Sequence, residues 1–308
     1  MTDADPVARM NRVTDLQQLR LQSPTSAAEA AADAAQVTLR ELADLADLEA
    51  VCSLFFEIWQ SAPGNPPMTV ELLRALTKAG NYVSGAFEGD RMVGACVGFF
   101  AAPAEAALHS HIAGVHRSMA GRSVGFALKL HQRAWAMERG LQAINWTFDP
   151  LVSRNAYFNL AKLGAAPIQY LTNFYGGMHD GINGDDDTDR LLLRWELSAP
   201  QVVQACAGTP YVVDVKTELA RGAVIALDRS PEGLPVSPAG PGPTSRGTVL
   251  VAAPRDIERL RPTDPAQARH WRVAVREVLT TLMAAGGQIT GFDKSGWYVV
   301  NYDLGTSR

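Results

Sequence analysis

The sequence predicts an α/β fold: a mixed central sheet flanked by helices, with a smaller α/β unit at the C-terminal end. Apolar strand-like runs alternate with amphipathic helical runs between residues 37 and 197. Two of these runs, 82–87 and 92–100, are joined by Glu88-Gly89-Asp90-Arg91, which is typical of an antiparallel hairpin. After residue 200 a shorter set of strands and one long amphipathic helix follows.

The individual elements follow from two kinds of periodicity. Strands are predicted where short apolar runs lie between turn residues, at 37–42, 82–87, 92–100, 108–115, 143–148, 167–175, 191–197, 222–227, 249–252, 289–292 and 297–303. Helices are predicted where apolar residues recur every three or four positions, at 44–60, 69–76, 123–139, 153–163 and 264–285. On the helix over 123–139 the polar residues are interpreted as a solvated face: Lys129, Gln132, Arg133 and Glu138.

Composition divides the chain into three regions. Residues 1–35 are polar and then rich in alanine, which predicts a flexible N-terminal arm, although the alanine-rich part could instead form a short helix. Residues 36–199 form the predicted main domain. Residues 200–308 form the smaller unit, with a Pro/Gly-rich loop at 230–247. This unit either repeats the outline of the main domain in truncated form or extends its sheet.

Charge and cysteine content narrow the class of protein. The 308 residues carry a net charge of -4 and no basic run, which argues against a general nucleic-acid binder. Cys52, Cys96 and Cys206 lie far apart, so neither a disulfide framework nor a zinc site is expected. No basic-then-apolar leader is present, and no apolar run reaches about 18 residues. We therefore expect a cytoplasmic protein that binds neither metal nor membrane, and a homodimer stays open.

The chemistry is concentrated where the strand over 108–115 leads into the helix over 123–139. The turn between them contains Arg122, Gly125 and Ala127. The first amides of a helix have no partner inside the helix, and the helix dipole makes that end positive. A glycine there lets another group approach the backbone closely. This arrangement predicts a cradle for a phosphate or pyrophosphate.

This strand, turn and helix resemble the acyl-CoA-binding motif of the GNAT superfamily of N-acyltransferases. The signature of that family is Gln/Arg-x-x-Gly-x-Gly/Ala after a strand that ends in valine. Here Val115 ends the strand, and Arg122, Gly125 and Ala127 occupy the signature positions. The resemblance covers roughly residues 37–197. It implies that acetyl-CoA or another acyl-CoA is a substrate, with loop amides on the pyrophosphate and the strand backbone on pantetheine. The expected CoA-binding residues are Val115, Arg117, Arg122, Ser123, Val124, Gly125, Phe126, Ala127, Asn155 and Phe158.

The general base has two candidates on the same strand. GNAT enzymes often place a glutamate there, but this strand has none after Glu105. His109 and His111 alternate onto one face of the strand, and the ordinary histidine pKa of about 6.5 suits deprotonation of an ammonium. The alternative is that both are ordinary strand histidines. Gly114 is the predicted site of a β-bulge.

A second segment resembles the GNAT sequence Asn-x-x-Ala followed by a catalytic tyrosine. Ala156 matches the family alanine, but Ser153 replaces the asparagine and Leu160 replaces the tyrosine that reprotonates the thiolate. The candidates for that acid are Tyr157, Tyr170, Tyr175 and a water molecule.

The substrate-binding candidates are Asp149, Arg154 and Arg190. An Asp149-Pro150 turn with a capping Ser153 accounts for part of this polar segment, but not for Arg154 and its neighbour Asn155. The sequence also resembles a GNAT subgroup with a C-terminal extension, some relatives of which look like N-succinyltransferases of amino acids. That resemblance implies that Arg154 or Arg190 holds a carboxylate. The acidic run 185–187 is interpreted as part of a solvent loop.

Taken together, these features predict an acyl-CoA-dependent N-acyltransferase that acts on a small-molecule amine. Two alternatives stay open: decarboxylation of a malonyl-type thioester on the same CoA site, and a non-catalytic module that senses CoA or binds a partner.

Overall fold

The structure is a computed structural model that describes residues 23–60, 66–176, 186–238 and 246–303. Its helices α1 to α9 span Pro24–Ala35, Leu45–Trp59, Val70–Lys78, Val124–Glu138, Ser153–Ala156, Pro200–Cys206, Val215–Ala220, Ile257–Thr263 and Pro265–Ala284. Its strands β1 to β12 span Thr38–Glu41, Tyr82–Glu88, Arg91–Phe100, Ala107–Val115, Ala143–Phe148, Ala166–Leu171, Arg190–Glu196, Val224–Arg229, Pro235–Val236, Arg246–Ala252, Gln288–Asp293 and Trp297–Asp303. The predicted α/β class is confirmed.

The chain folds into two compact units that are each assembled from separate stretches. The first unit contains the described residues within 1–58, 66–144 and 197–208. The second contains those within 59–65, 145–196 and 209–308. The predicted division has an arm and two domains, with boundaries at residues 36 and 200. It implies that the domains fold independently, and this stays a prediction.

The first unit is built on the antiparallel strands β1-β2-β3-β4, in that order. The predicted hairpin is formed by β2 and β3. Helix α1 begins at Ser23, whose side chain accepts a hydrogen bond from the Ser26 amide. Its buried face consists of small residues four and three positions apart, namely Ala28, Ala32 and Ala35. The alanine-rich segment is therefore helical over 24–35, while residues 1–22 lie outside the described part.

The β-bulge lies three residues before the predicted position. Val97 on β3 pairs with Ile112, and Gly98 pairs with Ser110, so that His111 has no partner in the ladder. Gly114, the predicted bulge residue, pairs regularly with Ala95. The prediction at Gly114 was wrong because a strand glycine also occurs where neighbouring atoms crowd the backbone.

Helix α4 is buried more completely than its sequence indicated. Lys129, Gln132 and Arg133 are 5%, 0% and 4% exposed, so three of the four residues interpreted as a solvated face lie inside. The interpretation was wrong because polar groups are buried when they find partners. Arg133 donates two hydrogen bonds to the Leu197 carbonyl, at 2.9 and 2.6 Å. Glu138 is exposed as predicted.

The second unit contains the strands β5-β7-β6 and a five-stranded sheet ordered β11-β12-β10-β8-β9. The chain enters this unit within β5. Strands β6 and β7 are antiparallel. The five-stranded sheet is mixed, because β10 runs parallel to β8 and antiparallel to β12. The C-terminal strands thus form a sheet of their own, and its order β10-β12-β11 repeats the order β5-β7-β6. None of the described helices combines the length and apolar character needed to cross a membrane.

Candidate functional site

The segment predicted as a phosphate cradle lies in the first unit and consists of the end of β4, a 3₁₀ turn over Arg117–Met119 and the start of α4. Ser123 takes a left-handed conformation with φ of 60° and stands immediately before the helix. Its carbonyl accepts from the amides of Phe126 and Ala127, at 3.0 and 3.1 Å. The amides of Val124 and Gly125 donate to no acceptor within the described part of the chain. These two groups are therefore available to an anion.

Gly125 leaves space directly beside these amides. A Cβ atom placed on it would meet only Val115 Cγ2, at 3.8 Å, which is an ordinary contact. The protein itself does not require glycine here, whereas a ligand that lies against the backbone would. The open amides and this space are what a pyrophosphate site requires, and the predicted pyrophosphate cradle stays a prediction.

The side chain of Arg122 is engaged by the protein. Its guanidinium pairs with Glu88 and donates to the carbonyl oxygens of Ala35, at 3.2 Å, and Gln36, at 3.5 Å. The arginine therefore ties the loop to the end of α1. Arg117, by contrast, is exposed and forms no ion pair with the described residues. Their roles toward CoA, like those of Val115, Ser123, Val124, Phe126 and Ala127, stay predictions.

His109 and His111 lie together on β4. Their ring centroids are 6.3 Å apart, and both rings contact Phe99 of β3, at 5.0 and 5.7 Å. Burial lowers the pKa of both imidazoles, and His111 and Lys129 lower the pKa of His109 further. Each ring is therefore predominantly neutral at pH 7, which is the form that accepts a proton.

A buried polar network lies behind β4. Lys129 Nζ donates to Ser110 Oγ at 2.9 Å and to Gln132 Oε1 at 3.1 Å. Ser110 Oγ also lies 3.8 Å from Cys96 Sγ. Burial lowers the Lys129 pKa to about 8, although Cys96 opposes that shift.

The second unit contains a cluster of buried ion pairs around Asp149. Arg272 makes a bidentate pair with Asp149, at 2.8 and 2.9 Å, and reaches Asp186 at 2.8 Å. Arg261 pairs with the same two carboxylates. Burial alone raises the pKa of Asp149, but Arg272, Arg261 and Arg190 hold it well below its usual range. The Asp149 carboxylate is thus occupied by the protein, and its predicted role toward a substrate stays a prediction.

The acidic run predicted as a solvent loop is partly buried. Asp186 is 9% exposed, whereas Asp187 is exposed and Asp185 lies outside the described residues. Asp189 is fully buried and accepts from Tyr170 Oη at 2.7 Å and from Arg276 at 2.7 Å. The interpretation was wrong for Asp186 because its arginine partners come from residues more than 70 positions away.

The other candidate residues of this unit differ in how accessible they are. The Arg154 side chain is 74% exposed and pairs with Glu258 at 3.1 Å. Arg190 is 8% exposed, donates to the Asp189 carbonyl and lies 5.2 Å from the Tyr175 ring centroid. The helix over Ser153–Ala156 continues as a π-helix over Tyr157–Lys162, and such segments are frequent at functional sites. Tyr157 and Phe158 lie in the π-helix, and Asn155 lies in the turn before it.

The residues missed by sequence reasoning are mostly buried charges. Lys129 stands between Leu128 and Leu130, and a lysine inside an apolar run was an available signal. Arg272 and Arg276 are four residues apart and therefore share one face of α9. Among the described residues, no group of three or more metal-binding side chains is arranged to hold an ion.

Residues 22–157 match the family model described as Acetyltransferase (GNAT) domain. The match includes β4, the open loop and the start of α4. This domain is characteristic of acyl-CoA-dependent acyltransferases. Residues 22–157 are thus similar to the GNAT acetyltransferase domain, and residues 158–308 extend beyond the match.

Three solved structures illustrate the structural similarity. The ribosomal-protein-S18-alanine N-acetyltransferase from Escherichia coli is 15% identical, with a TM-score of 0.42 over 53% of this chain and 95% of that chain. The acetyltransferase yncA from Salmonella typhimurium, solved with its cofactor acetyl-CoA, is 16% identical, with a TM-score of 0.43 over 54% and 98%. The ribosomal-protein-S5-alanine acetyltransferase from Vibrio fischeri is 14% identical, with a TM-score of 0.43 over 53% and 94%. No curated protein matches the chain.

Proposed function

We propose that this protein transfers an acetyl, succinyl or similar acyl group from CoA to the amine of a small molecule. The observation that carries the proposal is the open start of α4, where the amides of Val124 and Gly125 meet no acceptor in the described part of the chain. The pyrophosphate of CoA would accept from these amides, while the backbone at Val115 pairs with pantetheine. Three free cysteines accord with a reducing cytoplasm as its location.

His111 or His109 is the proposed general base. A neutral imidazole removes a proton from the acceptor ammonium, directly or through water. The amine nitrogen then attacks the thioester carbon, the nitrogen of the tetrahedral intermediate releases its second proton to water, and the intermediate collapses with loss of the CoA thiolate. Tyr157, Tyr170, Tyr175 or a water molecule returns the proton to that sulfur. Positioning of the two reactants supplies much of the acceleration.

The proposed carboxylate-binding residue is Arg154 in preference to Arg190. Arg154 is largely exposed and pairs with one carboxylate among the described residues, that of Glu258, whereas Arg190 is buried against protein groups. A succinyl group or an amino-acid acceptor would supply the carboxylate. Asn155 and Phe158 are proposed to contact CoA.

The test compares CoA binding by Gly125→Val and by the wild type, using calorimetry. The matched control is Gly247→Val, because Gly247 also has open space around its Cβ position and no left-handed φ. We expect at least a ten-fold loss of affinity for the Gly125 variant and none for the control. Unchanged affinity of the Gly125 variant would contradict the proposal.

The reaction itself is tested by supplying acyl-CoA with a panel of amines, with and without a carboxylate. Release of free CoA together with N-acyl product supports transfer. Carbon dioxide from malonyl-CoA without an amine would indicate a decarboxylase, and CoA binding without turnover would indicate a sensing module.

A further inference from the structure

We propose that Lys129 is a positioning residue for the acyl transfer: from behind β4 its ammonium anchors Ser110 and so fixes the bulge at His111, next to His109. This inference rests on the proposed function of the two histidines. Lys129 itself is 5% exposed and lies on the face of α4 that packs against the sheet, so that it does not reach the reacting atoms.

The register of β3 and β4 shows why the anchoring position matters. Ser110 is the last residue that pairs regularly, with Gly98, before His111 leaves the ladder, and pairing resumes at Ile112. A bulge inserts one extra residue that stays unpaired and twists the strand, so contacts from outside the ladder can hold its position. The 2.9 Å hydrogen bond from Lys129 Nζ to Ser110 Oγ is such a contact.

The two faces of the strand separate this anchor from the histidines. Ser110 contacts α4, whereas the rings of His109 and His111 contact Phe99. Successive side chains of a strand point to opposite faces. A single strand thus carries the anchor on its inner face and the candidate bases on the other.

Strand β3 packs closely against β4 at the position of the bulge. A Cβ atom at Gly98 would lie 3.0 Å from the His109 carbonyl oxygen and 3.2 Å from Gln132 Nε2. Gln132 is fully buried, and its Oε1 accepts from Lys129 at 3.1 Å. Gly98, Gln132 and Lys129 therefore surround the backbone that leads into the bulge.

Lys129 also acts on His109 by its charge. The groups that influence His109 are His111 on its own strand and Lys129 on α4, and both disfavour the imidazolium, in addition to burial. Removal of the ammonium would favour protonation of His109 and deplete the neutral form at low pH.

The experiment replaces Lys129 by methionine, which keeps the length of the side chain and removes its charge. The matched control is Lys78→Met in the last turn of α3, at the surface. Titration of the imidazole resonances by NMR measures the pKa of His109 without reference to activity. We expect the His109 pKa to rise in Lys129→Met and to stay unchanged in Lys78→Met.

The kinetic readout is the pH profile of kcat/KM, together with kcat and the KM for acyl-CoA. We expect kcat to fall roughly ten-fold or more and the KM for acyl-CoA to stay unchanged. With His109 as the base the acid limb should move to higher pH, and with His111 as the base it should stay in place. A second variant, Ser110→Ala, removes the hydrogen bond but keeps the charge. It should lower kcat without moving the acid limb.

The outcomes distinguish the two proposals. If the His109 pKa and kcat are unchanged in Lys129→Met, the role of Lys129 is refuted while the acyltransferase proposal is unaffected. If the His109 pKa rises as expected but neither histidine variant changes turnover, the assignment of the base is refuted, and Lys129 then positions no catalytic group.

Discussion

At the scale of single residues, His109 and His111 are the candidates for the proposed general base. Burial lowers the pKa of each imidazole, so the neutral form persists to more acidic pH than for a free histidine. A group that acts as a base is active above its pKa. The rate should therefore rise through a pKa below the ordinary histidine value and then stay constant.

The first prediction concerns these two side chains. Replacement of the true base by alanine should lower kcat by about 10² to 10⁴ while CoA affinity is kept, because proton removal is lost but the pyrophosphate cradle is intact. The alanine variants of His111 and His109 are compared by steady-state kinetics from pH 5 to 9. The alanine variant of the histidine that is not the base serves as the control for the other variant. Full activity of both variants would eliminate a histidine base.

The second prediction concerns the stability cost of Lys129. Burial lowers its pKa to about 8, against about 10.4 in an unfolded chain. Below pH 8 both states carry the proton, and the buried charge costs on the order of 3 kcal/mol. Between the two pKa values the unfolded chain binds more protons, so wild-type stability rises with pH. The Lys129→Met variant should therefore be more stable than the wild type at pH 7, by a margin that narrows toward pH 10. Denaturant titrations measure this, and a margin independent of pH would contradict it.

At the scale of elements, strand pairing and helix packing determine where the candidate site residues lie. The bulge at His111 depends on the close approach of β3 and β4 at Gly98. The open loop depends on Arg122, which joins it to the end of α1. These contacts hold β4 and the start of α4, the two elements that the motif requires.

The third prediction tests the strand contact. Gly98→Ala should destabilise the protein by about 1 to 3 kcal/mol, because its Cβ would crowd the His109 carbonyl oxygen and Leu108. Gly247→Ala on β10 meets no atom within 4 Å and is the control. Thermal unfolding compares the stability of the two variants. Equal stability would contradict the prediction, because it would show that β3 and β4 can move apart at Gly98 without cost.

Much of the arrangement of strands and helices was predictable from the sequence. Strand and helix positions follow local periodicity, and the open helix start at Gly125 follows from a glycine at a helix start after a strand. The bulge at His111 was not predictable, because it depends on which residues of β3 stand opposite. The burial of Lys129 and Gln132 was missed for the same reason: their partners lie on other elements. The ion pairs of Asp149 join residues more than 100 positions apart, which no local pattern encodes.

At the scale of the whole molecule, the chain folds into two compact units. Each unit draws on separate stretches of the chain, and the second includes α9. Arg272 and Arg276 of that helix neutralise Asp149, Asp186 and Asp189. A buried carboxylate that loses its partner is strongly destabilising.

The fourth prediction follows for a truncated chain. A protein ending at residue 199, the predicted end of the main domain, would lack α9 and leave these carboxylates unpaired. We expect it to be insoluble or to expose apolar surface, as dye binding and near-ultraviolet circular dichroism would report. The full chain is the control, and a truncated chain with native spectra would show that residues 36–199 fold independently.

The fifth prediction concerns acid stability. Arg272→Met should cost about 3 to 5 kcal/mol, because it leaves two buried carboxylates without their main partner. Arg276→Met should cost less, since Arg276 is 22% exposed and Asp189 keeps the Tyr170 hydroxyl and the Asn173 amide. The pKa of Asp149 is lowered, so its contribution is complete above about pH 4 and is lost as pH falls through the lower, folded value. In Arg272→Met that loss should begin at higher pH, and urea titrations at pH 3 to 7 would measure it.

The distance along the chain between Asp149 and Arg272 has a consequence for synthesis. A ribosome makes Asp149 well before it makes Arg272, 123 residues later. During that interval the nascent carboxylate has no Arg272 to neutralise it and stays exposed to water. Completion of the second unit therefore waits for the C-terminal helix, so we expect this part of the chain to fold late in translation and to depend most on chaperones.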